Sequence, residues 1–87
     1  MVKILIDVRE PAEFAGDHVE GALNIPLSEL ANTAANLAVV PKDATVILYC
    51  QSGGRSQIAC HLLKNLGYTN LINGINRSNV EANYLSK

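Results

Sequence analysis

Cysteine is scarce in this chain. Two in 87 residues are too few for a disulfide scaffold, and neither stands in a Cys/His spacing that holds structural zinc. A free cysteine suits a reducing compartment, so a cytoplasmic location is expected, with the periplasm as the alternative if a leader has been removed ahead of Met1. Charge of one sign is missing as well. The net charge is −1, and no Lys/Arg cluster with interleaved aromatics occurs, which excludes nucleic acid as an electrostatic partner. An anionic ligand must therefore be small and held locally. Long apolar runs are also absent: Met1-Val2-Lys3 is followed by Ile4-Leu5-Ile6 and then Asp7, too short for a signal-peptide core and far too short for a membrane span.

What is present describes a folded globule, with 48% hydrophobic and 17% charged residues. The length fits one domain over residues 1–87. A domain of this size buries roughly 60–70% of its chain surface, which supports one modest core.

The pattern along the chain alternates strands with helices. Residues 2–8 read as a buried strand, and Pro11 to Phe14 as a short helical turn with proline suited to its first position. Ala22 to Pro26 read as a brief second strand. Ser28 is the expected N-cap of a helix whose apolar face is Leu30, Ala31, Ala34, Leu37 and Ala38 and which stops before Pro41. Residues 45–49 form the third strand, about Arg55 to Leu66 the next helix, residues 68–72 the last strand, and Arg77 to Tyr84 a short terminal helix. Such alternation predicts an α/β fold with a small, mainly parallel sheet flanked by helices on both faces.

Chemistry concentrates in Tyr49-Cys50-Gln51-Ser52-Gly53-Gly54-Arg55-Ser56. Thr45-Val46-Ile47-Leu48-Tyr49 is β-branched and apolar, so Cys50 falls at the carboxyl end of a buried parallel strand, where ligands bind in open α/β sheets. Ile58, Ala59, Leu62, Leu63 and Leu66 then repeat at helical spacing, with Gly67 as terminator. The loop feeds a helix N-terminus. Backbone N–H groups, the positive helix end and a nearby guanidinium each favour a thiolate, and together they lower a cysteine pKa from about 8.5 to roughly 3.5–7.5. Gly53 and Gly54 are free to take positive φ and converge N–H groups on one point, and Arg55 is placed to guard the rim as an anion contact. Ser52 and Ser56 either bond the sulfur or brace the loop; Ser56 is equally readable as an ordinary first-turn helix residue.

Two further constellations are expected to support that loop structurally. In Asp7-Val8-Arg9-Glu10-Pro11-Ala12-Glu13-Phe14, Asp7 ends its strand on the same edge as Cys50, and Arg9 and Glu13 are expected to pair across the turn. In Gly16-Asp17-His18-Val19-Glu20-Gly21-Ala22, His18 is a candidate general acid, but a loop histidine bonded to backbone is the favoured reading. His61 reads as surface. Cys60 reads as a helix-packing residue, because five helical residues alone add about 7 Å of rise beyond the loop and place it out of bridging range.

Asp7-Val8-Arg9, Glu13-Phe14, Asp17-His18-Val19, Gly21-Ala22, Asn24-Ile25-Pro26 and Cys50-Gln51-Ser52-Gly53-Gly54-Arg55-Ser56 together resemble the rhodanese homology domain, from about residue 4 to 74, in its short single-domain form of the phage-shock type. That resemblance implies a rhodanese-like three-layer fold and a thiosulfate sulfurtransferase. Cys50 would take sulfane sulfur from thiosulfate or a similar donor as a persulfide and pass it to cyanide or a thiol acceptor. No cofactor and no metal are implied. The alternative is a non-catalytic module that carries sulfur or binds other proteins.

Related cysteine-dependent phosphatases use a loop one residue longer; the four residues between Cys50 and Arg55 suit a sulfur atom and crowd a tetrahedral phosphate. The end of the chain departs from the family, with one glycine and no tryptophan in Asn73-Gly74-Ile75-Asn76-Arg77-Ser78-Asn79-Val80. The strand and helix that precede the Asp-Val-Arg motif in longer members are missing too. About four parallel strands are expected, with an exposed edge and a monomer or weak homodimer.

Overall fold

A computed structural model describes residues 3–32 and 40–84, apart from the side chains of residues 31 and 32. Four segments form strands: β1 (Lys3–Asp7), β2 (Leu23–Asn24), β3 (Thr45–Tyr49) and β4 (Asn70–Ile75). Between and after them lie α1 (Pro11–Gly16), α2 (Leu27–Asn32), α3 (Gly54–Asn65) and α4 (Arg77–Asn83). The strands pair only in parallel, in the order β2-β1-β3-β4, with Asp7 opposite Tyr49 and Ile6 opposite Leu48.

Period-two alternation along β3 divides the core into two layers. Val46, Leu48 and Cys50 join Ile6 and Val8 against Leu30 of α2 and Ala59 and Leu63 of α3. Ile47 and Tyr49 face the other way, against Val19 and Val80 of α4. The sheet is thus covered on both faces, and the second layer is the thinner.

Among the boundaries that differ from expectation, three have a clear physical cause. The second strand is shorter than residues 22–26: the Ile25 N–H still reaches the Asp7 carbonyl at 3.0 Å, but Pro26 has no N–H with which to continue. Ser28 is not the N-cap, because α2 begins at Leu27 and the Pro26 carbonyl accepts the Glu29 and Leu30 N–H groups at 2.9 and 3.1 Å. Ala34, Leu37 and Ala38 of its expected apolar face lie outside the described residues. The last strand runs later than residues 68–72. Gly67, at φ +102, turns the chain after α3, and Tyr68 is spent on a buried hydrogen bond from its hydroxyl to the Val40 carbonyl at 2.9 Å. β4 continues instead through Gly74, where an added Cβ would meet Val80 Cγ2 at 2.6 Å and Ile47 Cγ2 at 3.0 Å, so only glycine lets α4 pack so closely on the sheet. Among the described residues no helix is long and apolar enough to cross a membrane.

Candidate active site

Cys50 is the first residue beyond β3, and its N–H donates to the Ile75 carbonyl at 3.1 Å, which anchors it to the end of β4. The chain then turns over Gln51 and Ser52 into Gly53, whose φ of +97 is open to glycine and strained for anything with a side chain. That turn aims the Gly53 N–H at Cys50 Sγ, 3.1 Å away, while Ser56, fully buried in the first turn of α3, brings Oγ to 3.6 Å. Gly54 differs from expectation. It is an ordinary first residue of α3 with a negative φ and empty space where a Cβ would lie, so one left-handed glycine, not two, shapes the cradle.

Burial pushes the Cys50 thiol up, but the Ser56 hydroxyl and the N–H groups of Ser56, Ser52 and Gly53 outweigh it and bring the thiol from 9.0 down to about 7. Cys50 therefore ionises in the neutral range, below an ordinary thiol. A partly ionised sulfur fixed by directed donors is a nucleophile held in place.

Arg55, expected at the rim as an anion contact, is paired with Glu13. Its guanidinium turns sideways along α1, donating from Nη1 to Glu13 Oε1 at 2.8 Å and from Nη2 to Oε2 at 3.1 Å. It adds positive potential near the sulfur, since the Cys50 thiolate helps hold it charged, but its hydrogen bonds are spent on Glu13. Arg55, followed by the Glu10 N–H, holds the Glu13 carboxyl at about 2. The expected pairing of Arg9 with Glu13 is likewise replaced. Arg9 closes on Asp7, with Nε at 3.0 Å from both carboxylate oxygens and Nη2 at 2.8 Å from Oδ2, and its own N–H adds a fourth bond at 2.9 Å. Asp7 is fully buried, so a bidentate partner two residues along is what makes its charge tolerable there. Arg9 also lies 5.8 Å over the Tyr49 ring, and the Tyr49 hydroxyl accepts the Val19 N–H at 2.9 Å. The Arg55–Glu13 pair thus ties α1 to α3 beside the cysteine loop, while the Asp7–Arg9 pair braces the chain where it leaves β1.

His18 stands outside the cavity. Its Nδ1 donates to the Phe14 carbonyl at 2.8 Å, and its ring stacks on Phe14 with centroids 3.7 Å apart. Cys60 lies half-buried within α3, and His61 is exposed.

Cys50 opens into a cavity of about 430 Å³ bounded by Arg9, Asp17, Gln51, Arg77 and Glu81. Arg77 and Glu81 belong to α4, so this helix supplies a polar wall. Arg77 is held between Asp17, at 3.2 Å, and Glu81, at 3.0 Å; the Arg9 Nη2 donates to the Asp17 carbonyl at 2.6 Å. Arg9 and Arg77 therefore both line the cavity that Cys50 lines, each paired with a carboxylate of the same wall. Sequence reasoning missed Arg77 and Glu81, although their i,i+4 spacing in a predicted terminal helix was a usable signal. It also missed Asn73, which contacts Ser56 at 2.6 Å and carries no local signature.

A model of the rhodanese-like domain matches residues 1–77. The chain is 44% identical over 68 residues to the thiosulfate sulfurtransferase PspE of Escherichia coli strain K12, covering 78% of this chain and 64% of that protein. It is 37% identical over 70 residues to a sulfurtransferase of Allochromatium vinosum, covering 80% and 63%. It thus spans a little under two thirds of the length of either relative. Among solved structures, a rhodanese with anions from E. coli superposes with a TM-score of 0.79 at 37% identity, covering 90% of this chain and 91% of that one. By that match, and by the parallel sheet and cysteine loop that accompany it, the chain belongs to the rhodanese-like domain family.

Proposed function

We propose that the protein is a sulfurtransferase that carries sulfane sulfur as a persulfide on Cys50, with thiosulfate as donor and cyanide or a thiol as acceptor. The observation that carries this reading is the pairing of a thiol at about 7, with the Gly53 N–H 3.1 Å from its sulfur, and a cavity lined by Cys50 together with Arg9 and Arg77. In the first half-reaction the Cys50 thiolate attacks the outer sulfur of thiosulfate. The donor's S–S bond breaks, and sulfite leaves with the bonding pair. Arg9 and Arg77 are placed to meet the dianion and the departing sulfite, while the N–H groups that favoured the thiolate now favour the persulfide anion. In the second half-reaction the acceptor's lone pair attacks the terminal sulfur, and the Cys50 thiolate departs with the electrons of the cleaved S–S bond, restoring the starting state. Every charge-stabilising group in this scheme is supplied by the chain itself. The named activities of the E. coli and A. vinosum relatives support the same assignment.

Intact mass after incubation with thiosulfate tests it. The expected result is a gain of one sulfur atom on wild type and none on Cys50→Ser, with the added sulfur released as thiocyanate by cyanide. A folded, reduced protein that gains no sulfur overturns the thiosulfate assignment and favours a carrier loaded by a dedicated protein donor.

A further inference from the structure

Asn73 stands near the carboxyl end of β4, across the strand pair from the cysteine loop, and its side chain makes three directed contacts there. Nδ2 donates to the Gly53 carbonyl at 3.2 Å, and Oδ1 accepts from the Ser56 hydroxyl at 2.6 Å and from the Ile75 N–H at 3.0 Å. The same three residues are the ones that hold Cys50. Gly53 and Ser56 contact its sulfur at 3.1 and 3.6 Å, and the Ile75 carbonyl takes its N–H at 3.1 Å. The amide cannot exchange its two ends without losing both the bond to Gly53 and the bond from Ile75, so the main chain sets its orientation.

Ile75 gives an independent sign that this corner is under constraint. Its φ is +73, the left-handed region that a β-branched residue rarely enters and keeps only where its surroundings hold it. The bond from its N–H to Asn73 Oδ1 is one such restraint, and the bond from the Cys50 N–H to its carbonyl is another. Ser56 has a single hydroxyl proton and three acceptors around it: Asn73 Oδ1 at 2.6 Å, the Gly53 carbonyl at 3.2 Å and Cys50 Sγ at 3.6 Å. One proton cannot serve all three, and the contact with Asn73 is the shortest.

We propose that Asn73 is a positioning residue for the Cys50 sulfur: it holds Gly53, whose N–H meets the sulfur, and keeps the Ile75 carbonyl turned toward the Cys50 N–H. It touches no reacting atom. The proposal rests on reading Cys50 as the nucleophile but on no particular sulfur donor.

The test is the pH dependence of Cys50 alkylation by iodoacetamide, in the full chain carrying Cys60→Ser. The charged groups that face Cys50, namely Arg9 after β1, Asp17 after α1, Arg55 on α3 and Arg77 and Glu81 on α4, stay in place in each variant. Asn73→Ala is expected to raise the alkylation midpoint by about one pH unit, slowing the reaction about tenfold at about pH 6 while leaving its high-pH limit unchanged. Asn70→Ala, on the same strand, is expected to leave the midpoint where it was. An unchanged midpoint in folded Asn73→Ala, or an equal shift in Asn70→Ala, overturns the proposal. If circular dichroism shows Asn73→Ala unfolded, the milder Asn73→Ser is read instead, and an unshifted midpoint there also overturns it. Failure of thiosulfate loading with the alkylation shift intact would count against the donor and not against Asn73.

Discussion

Cys50 and Cys60 lie ten residues apart, both are withdrawn from water, and both pack against the same hydrophobic layer, yet their thiols move in opposite directions. Cys60, within α3, has burial as its only resolved influence, and burial pushes it up. Cys50 bears the same penalty, but the Ser56 hydroxyl and three backbone N–H groups bring it down to about 7. Burial alone therefore makes an inert packing thiol. Reactivity comes from where a strand ends, from one left-handed glycine and from a serine one turn into a helix.

Exchanging each cysteine breaks the comparison most sharply. Cys50→Ser is expected to abolish sulfur transfer while the fold survives, and Cys60→Ser to keep most activity; turnover assays with circular dichroism read both. Gly53→Ala comes next. It forces a side chain into φ +97 with Ile75 Cγ2 3.3 Å away, so we expect a stability loss of about 1–2 kcal/mol in urea unfolding, together with slower sulfur loading. Ser56→Ala sharpens the contrast without disturbing the backbone. Losing one hydroxyl contact to sulfur should raise the Cys50 alkylation midpoint by about one unit or less, and Cys60 should not move. The smallest effect is expected at Glu13→Gln, which weakens a half-exposed ion pair beside the loop. Because the Glu13 carboxyl is held down at about 2, its stabilising contribution is complete above the ordinary value of 4.5 and is lost as pH falls toward 2. Melting temperatures across that window should therefore drop less steeply in the variant than in wild type.

The elements nearest the chemistry were the most legible. Thr45–Tyr49 is a strand with the predicted bounds because β-branching and burial agree there, and α3 begins one residue ahead of the expected Arg55. The wall of the site was less legible. β4 contains Asn70, Asn73 and Gly74, residues that disfavour strands in isolation, and it forms because its neighbour β3 is already buried and Gly74 admits Val80. Ion-pair partners were misassigned because sequence spacing offered Glu13 to Arg9, whereas the fold places Arg55 beside Glu13 from 42 residues away. Asn73 had no signature at all, since its importance lies in three bonds to residues on two other segments and a strained neighbour, a relation that exists only after the strands have paired. The positive φ of Ile75 was equally hidden, because an isoleucine is the last residue from which a left-handed turn would be inferred.

The most direct test of the account is the alkylation rate of each cysteine as a function of pH, measured separately in Cys60→Ser and Cys50→Ser. The account predicts a midpoint near 7 for Cys50 and one above 9.0 for Cys60. Coincident midpoints in the two variants would contradict it, because the loop donors would then have no hold on the sulfur.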